Sequence, residues 1–222
     1  MRVALLGSGR TGGEVAKLHK DTVIFNSSNK PTLIRLQQCD VIVCFLTAEV
    51  FNEYFQLIIE SKLPVVVGTT GFLWPENINS LIKSSWIKAN NFSLGMVVIE
   101  KMIKELSKIK RLYPEIHFEI EDHHHKNKVD SPSGTGLSWK KWLNQKSEII
   151  STRVGNIIGL HKIKAETKIE SITLCHEVKD RALFASGALW AARFVIKNSS
   201  NQKLYDFNQV VQSHLEQDKN ES

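Results

Sequence analysis

The chain has 222 residues, 42% hydrophobic and 23% charged, the balance of a folded globular protein with one large or two modest domains. No run reaches the ~18 apolar residues of a membrane helix, and the first apolar run ends at Gly7, too soon for a secretory signal. The net charge of +6 is spread among acids and is not interleaved with aromatics, so it does not mark a nucleic-acid binder; small polyanionic ligands account for it equally well.

Residues 2–6 make a short buried strand that runs into Gly7-Ser8-Gly9-Arg10-Thr11-Gly12 and then a helical segment with Val15, Ala16 and Leu18. A G-x-G-x-x-G in that setting fits a dinucleotide fingerprint, in which glycines let the backbone approach a pyrophosphate at a helix N-terminus. The second strand, 22–25, ends at Asn26-Ser27-Ser28 with no acid after it. Strands follow at 40–46, 64–67 and 85–89, with a helix at about 48–61 between the first two. Alternating strands and helices predict a parallel sheet whose ligands lie beyond the strand C-terminal ends. The loops there, Gly68-Thr69-Thr70-Gly71 and Ala89-Asn90-Asn91-Phe92-Ser93, belong to that crevice.

A long helix is expected over 96–113, with Pro114 just past its end. The alternation of Ile116 to Glu121 then gives a half-buried strand. After it comes the densest chemistry in the chain: Asp122, the histidines His123, His124 and His125, Lys126 and Lys128, Asp130, Pro132, and the turn Ser133-Gly134-Thr135. That turn stands before a helical pattern of Leu137, Trp139, Trp142 and Leu143, so its free amides favour a bound anion. The histidine run can serve acid–base chemistry, form a solvated loop, or contribute to a metal site. No Cys or carboxylate stands at a familiar metal spacing, and no metal is expected. Two strand-like runs, 163–167 and 169–176, and a helix at 181–195 complete the chain, before a polar tail from Glu216. His161 and His176 read as hydrogen-bonded members of a second sheet, and Lys126, Lys140 and Lys141 as solvated charges. Cys39, Cys44 and Cys175 form no Cys-x-x-Cys pair, which is reduced, cytoplasmic usage.

The Asp122–Thr135 stretch resembles the signature of the 4-hydroxy-tetrahydrodipicolinate (dihydrodipicolinate) reductases of lysine and diaminopimelate biosynthesis. Their pattern runs Glu-Ala-His-His, two variable residues, Lys-Val-Asp-Ala-Pro-Ser-Gly-Thr. Here Asp122 stands at the Glu, His123 at the first Ala and Ser131 at the second. The Gly68–Gly71 and Ala89–Ser93 loops and Arg181-Ala182-Leu183-Phe184-Ala185-Ser186-Gly187-Ala188 are similar to further family segments, so the likeness runs from Arg2 to about Phe207.

The resemblance implies an α/β fold: a Rossmann-type dinucleotide-binding domain, 1–94 with 185–222 returning, and an α+β substrate-binding and oligomerisation domain with a mixed sheet, 95–184. It implies reduction of a cyclic dicarboxylate by NADPH or NADH in a cytoplasmic homotetramer. His124 and Lys128 become the catalytic pair, and His125, Ser133, Gly134 and Thr135 bind substrate. Gly7, Ser8, Gly9, Arg10, Thr11, Gly12, Asn26, Gly68, Thr69, Thr70, Ala89, Asn90, Asn91 and Phe92 hold the cofactor. The rival readings are a nucleotide-sensing regulatory protein without chemistry, or an oxidoreductase of another small dicarboxylate.

Overall fold

The structure is a computed structural model and describes residues 1–217; the end of the polar tail lies outside the described residues. The chain divides into two compact units, Met1–Ser93 with the chain from Arg181 onward, and Leu94–Asp180. In chain order the first unit begins with β1 (Val3–Leu6), α1 (Arg10–Leu18), β2 (Thr22–Phe25), α2 (Leu33–Leu36) and β3 (Val41–Cys44). It goes on through α3 (Ala48–Ser61), β4 (Val65–Val67), α4 (Ile78–Leu81) and β5 (Trp86–Lys88). The second unit contains α5 (Leu94–Leu106), β6 (His117–His124), α6 (Gly134–Leu143), β7 (Ser147–Arg153), β8 (Gly159–Glu166) and β9 (Ser171–Val178). The first unit then resumes with α7 (Ala182–Lys197), β10 (Leu204–Asp206) and α8 (Phe207–Gln217).

The first unit is a wholly parallel six-stranded sheet in the order β10-β5-β4-β3-β1-β2. Every residue of β1, β3 and β4 is buried. A central parallel strand is covered on both faces, which is why these read as unbroken apolar runs. The strand order reverses between β1 and β3, so Gly7, just after β1, opens at the topological switch point where such sheets bind ligands. Helix α7 packs on α1 and on β3, β4 and β5. It closes so tightly on the loop after β5 that a Cβ at Gly187 would overlap the Phe92 carbonyl.

The second unit is a mixed four-stranded sheet, β7-β6-β8-β9, with β7 parallel to β6 and the others antiparallel. Its inner face carries Phe118, Ile120, Ile163 and Ala165 in one core with Met96, Ile99, Ile103, Trp139 and Leu143 of α5 and α6. The outer face of β6 carries His117, Glu119, Glu121 and His123, the other half of its period-two pattern.

Several expected boundaries move. The long helix ends as α-helix at Leu106 and tightens into a 3-10 turn, Ser107–Arg111. Strand β6 runs on through His124, so two of the three histidines lie in the sheet and not in a loop. Strand β7 was not anticipated, and β8 begins at Gly159 because it pairs with β6 and β9 along its full length.

Candidate active site

The register of the second sheet assembles the site. Inward positions on β6 are apolar at Phe118 and Ile120, then become Asp122 and His124. Asp122 pairs across to His161 on β8 and Ser151 on β7, and His124 pairs with Arg153. Sheet pairing therefore gathers five polar groups at one end of an apolar face.

Asp122 is fully buried and is the centre of this group. Its Oδ2 accepts from the Ser133 amide at 2.8 Å, Arg153 Nη2 at 3.0 Å and Ser151 Oγ at 3.3 Å. Its Oδ1 accepts from Ser133 Oγ at 2.6 Å and lies 3.0 Å from His161 Nε2 and 3.1 Å from His124 Nε2. Burial alone would raise the Asp122 pKa, but the hydrogen bonds from Ser133 and Arg153 and the nearby imidazole of His161 outweigh it. The carboxyl is held well below the usual range, so Asp122 is an anion.

His124 is 7% exposed, and its ring stands against His161 with centroids 5.1 Å apart. Its Nδ1 lies 2.9 Å from the Ile158 carbonyl, and its Nε2 is buried without a hydrogen-bond partner. Burial lowers its pKa; the Ile158 carbonyl and the Asp122 charge pull the other way. Burial also lowers the pKa of His161, to about 4, so that ring is neutral. His123 faces the other side of the sheet, with Nε2 2.6 Å from Glu121 Oε2. His125 is half-buried just past the strand. Lys128 Nζ donates to Asp130 Oδ1 at 2.7 Å, which holds the Asp130 carboxyl below its ordinary pKa.

Ser133 differs from its expected role. It is buried, and both its amide and its hydroxyl donate to Asp122, while its Oγ accepts from the Gly136 amide as the N-cap of α6. Its donors are spent inside the protein. At this helix start the groups not held by Asp122 are those of the exposed Gly134, whose missing Cβ would meet nothing within 4 Å and whose amide also faces the Asp130 carboxylate, and the half-buried Thr135. His161 lies in the second sheet, on β8, as expected, but its place beside Asp122, and the roles of Asp122 and Arg153, are not among the sequence expectations. The available signal was parity: continuing the Ile116–Glu121 alternation puts Asp122 on the apolar face, and a buried carboxylate needs partners.

Asp122, His124 and His161 bring three donor atoms within 4.8 Å of one another, a spacing that can hold a metal. Arg153 already neutralises Asp122 from its other oxygen, so a dication there would meet little compensating charge. Hydrogen bonding is the better use of the cluster.

In the first unit, α1 starts at Arg10 with Gly9 as N-cap and no side-chain cap, leaving its first amides free. Gly7 has φ +96°, and a Cβ at Gly12 would overlap the Gly7 carbonyl, so both glycines are required by the turn. Gly9 is different: a Cβ there meets no atom within 4 Å. Its lack of a side chain has no packing reason and matches a ligand approaching the backbone. Beside it a cavity of about 340 Å³ is lined by Gly7, Asn26, Ser27, Lys30, Glu53 and Tyr54, among others. Asn26 Oδ1 accepts from the amides of Ser28 and Asn29, which fixes the turn after β2.

Thr69 is buried with its Oγ1 unpartnered, as a hydroxyl awaiting a ligand would be, while Thr70 is exposed. Ala89 is half-buried, Asn90 is exposed, and Asn91 Oδ1 accepts from the Ser93 amide. The Phe92 ring is core, set edge-on to Phe45 and Phe207, and its carbonyl packs against Gly187 of α7, so Phe92 supports the loop from within. Ser8 and Arg10 are exposed and Thr11 half-buried along the same turn. These groups fit a dinucleotide.

Comparison with known proteins places the chain in a family. Residues 7–102 match the family described as dihydrodipicolinate reductase, N-terminus, and residues 95–211 match its C-terminus. The 4-hydroxy-tetrahydrodipicolinate reductase of Bdellovibrio bacteriovorus is 30% identical over 234 residues, covering 95% of this chain and 96% of its own. That of Wigglesworthia glossinidia brevipalpis is 35% identical over 180 residues, covering 76% of this chain and 65% of its own. The structure of dipicolinate-bound dihydrodipicolinate reductase from Paenisporosarcina sp. TG-14 superposes with a TM-score of 0.71 at 23% identity, covering 95% and 99% of the two chains, and shows the shared fold. On its sequence and its fold, the chain belongs to the dihydrodipicolinate reductase family.

Proposed function

We propose that the chain reduces 4-hydroxy-tetrahydrodipicolinate to tetrahydrodipicolinate at the expense of a nicotinamide dinucleotide, as its family membership indicates. The observation that carries the residue assignments is the joining of His124 and the α6 N-terminus through one buried carboxylate. The dinucleotide, when bound, would supply the hydride; the protein supplies fixed charge and the protons, one of which leaves with the substrate's 4-hydroxyl as water. His124 is the proton donor and Lys128 a second donor whose ammonium stabilises negative charge gathering on the substrate. His125 contacts the substrate, and Gly134 and Thr135 hold a substrate carboxylate at the helix start, with Ser133 anchoring them from beneath. A dipicolinate-type ligand, such as the Paenisporosarcina reductase binds, is the expected occupant.

In the first unit, Gly7 to Gly12 receive the pyrophosphate, and Gly68 to Thr70 with Ala89 to Phe92 border the nicotinamide. Lys30 and the exposed turn at Asn26 and Ser27, with no acid after β2, suit a 2′-phosphate, so NADPH serves at least as well as NADH. Glu53 also lines that cavity, and NADH remains usable. The outer face of the second sheet joins the subunits of a homotetramer. The cytoplasm is its place, in keeping with three free cysteines. Among the described residues no helix is long and apolar enough to cross a membrane. The test is the fall of NAD(P)H absorbance with freshly generated hydroxy-tetrahydrodipicolinate; no substrate-dependent oxidation would sink the assignment.

A further inference from the structure

Three groups that the reading above does not use, Arg153, Ser151 and His161, end on the same carboxylate as two that it does, Ser133 and His124. We infer that Asp122 is a positioning residue for the reaction: one fixed anion that sets the proton donor His124 and the anion-binding start of α6 in a single geometry. The inference rests on His124 being the proton donor.

The tautomer of His124 is the first link. A carbonyl oxygen only accepts, so the contact with Ile158 places a proton on Nδ1. In the neutral ring Nε2 is then a bare lone pair, set 3.1 Å from a carboxylate oxygen and unable to bond to it. Adding a proton at Nε2 converts this mismatch into an attraction between opposite charges. Asp122 therefore favours the acid form of His124, the form needed before proton transfer. The other charged and titratable groups facing the ring are Lys128 in the following loop, Arg153 on β7 and His161 on β8; the two cations oppose the imidazolium and His161 is neutral. Asp122 is thus the group that can support it.

The second link is to the substrate turn. Ser133 is bound to Asp122 through both amide and hydroxyl, and its Oγ in turn caps α6 at Gly136. Moving Asp122 would move the first turn of α6. The pair is clamped on either side. A Cβ at Gly136 would come within 3.3 Å of Asp122 Cβ and Cγ, and one at Gly159 within 3.2 Å of His124 Cε1. Arg153 ties the carboxylate to the strand and the loop at once, donating to the Asp122 and Asp130 carbonyls as well.

The test is Asp122→Asn, which keeps the shape and removes the charge. Titration of the His124 ring by ¹⁵N NMR should show its pKa lowered by at least one unit, and the alkaline limb of the kcat profile, where His124 loses the proton it donates, should move the same way. Calorimetry should show pyridine-2,6-dicarboxylate bound at least tenfold more weakly, with NADPH affinity unchanged. A folded variant with wild-type His124 titration and wild-type dicarboxylate affinity overturns the inference. If the variant does not fold, the wild-type spectrum decides. Neutral His124 as the Nδ1–H tautomer supports the inference, and the Nε2–H tautomer overturns it. These readouts need no turnover, so they stand apart from the outcome of the reductase assay.

Discussion

Ser133 and Asp122 are joined twice, amide to Oδ2 at 2.8 Å and hydroxyl to Oδ1 at 2.6 Å. The first residue of the anion-binding turn is thus bolted to the strand that carries the proton donor. Such a bond between a loop and a sheet reduces the freedom that substrate would otherwise have to freeze on binding. Ser133→Ala keeps the amide contact and removes the hydroxyl that bridges Asp122 to the α6 cap. It should cost about 1 kcal/mol of stability, read from urea midpoints, and raise KM for substrate more than it lowers kcat.

Substitutions along the histidine run should separate by face. His124→Ala and Lys128→Ala are each expected to lower kcat by roughly 10²-fold, the usual scale for losing a general acid or a fixed charge. His123→Ala should leave turnover within about twofold, because its ring binds Glu121 on the opposite side of the sheet. Equal losses for all three would show that the two faces are not functionally distinct.

The parallel core was legible in the sequence because β1, β3 and β4 are covered on both faces and read as apolar runs. The glycine turn before α1 and the Ser133 start of α6 were legible for the same kind of local reason: backbone geometry and capping dictate residue type. Strand β7 was not, since Ser147 to Arg153 alternates weakly and its place is set by pairing with β6. One-turn helices such as α2 and α4 lack the length for a periodic signal. The role of Asp122 was hidden for a different reason: its partners, Arg153 and His161, are about 30 and 40 residues away and meet it only through register.

Acid should weaken the second unit in two windows. His161 has a pKa of about 4 in the fold, against about 6.5 for an ordinary histidine. As pH falls from about 6.5 to about 4 the unfolded chain takes up a proton that the folded chain refuses, so stability falls, by roughly 3 kcal/mol over that span. Burial of His124 and His176 acts in the same direction. Asp122, depressed in the fold, adds its loss only below about pH 4, as the unfolded carboxylate begins to protonate. Urea midpoints at pH 7, 5.5 and 4.5 should therefore fall, and His161→Gln should flatten the curve between them. An unchanged slope in that variant would remove His161 as the cause.

Lys30 should govern cofactor choice. It lines the same cavity as Asn26 and Ser27, where the turn after β2 carries no acid to repel a 2′-phosphate. Lys30→Ala is expected to raise KM for NADPH about tenfold and to leave KM for NADH within about twofold. The difference should shrink at high salt, since the attraction is between exposed charges. A parallel loss for both cofactors would place Lys30 in general packing.

The glycines of the first turn offer a separation of fold from binding within five residues. A Cβ at Gly12 would overlap the Gly7 carbonyl, and the helix and strand cannot both stay in place. Gly12→Ala should therefore lower the melting temperature of the ligand-free protein by several degrees, the effect of forcing atoms into a packed site. Gly9 has φ −66° and ψ −165°, a conformation alanine adopts freely, and its Cβ would meet no protein atom within 4 Å. Gly9→Ala should leave that melting temperature within about a degree, because neither strain nor overlap arises. What it should lose is dinucleotide affinity, by about tenfold or more, since the added methyl occupies the approach to the free amides at the start of α1. Differential scanning calorimetry of the ligand-free variants and fluorescence titration with NADPH measure the two effects independently. Full NADPH affinity in Gly9→Ala would move the pyrophosphate away from this turn.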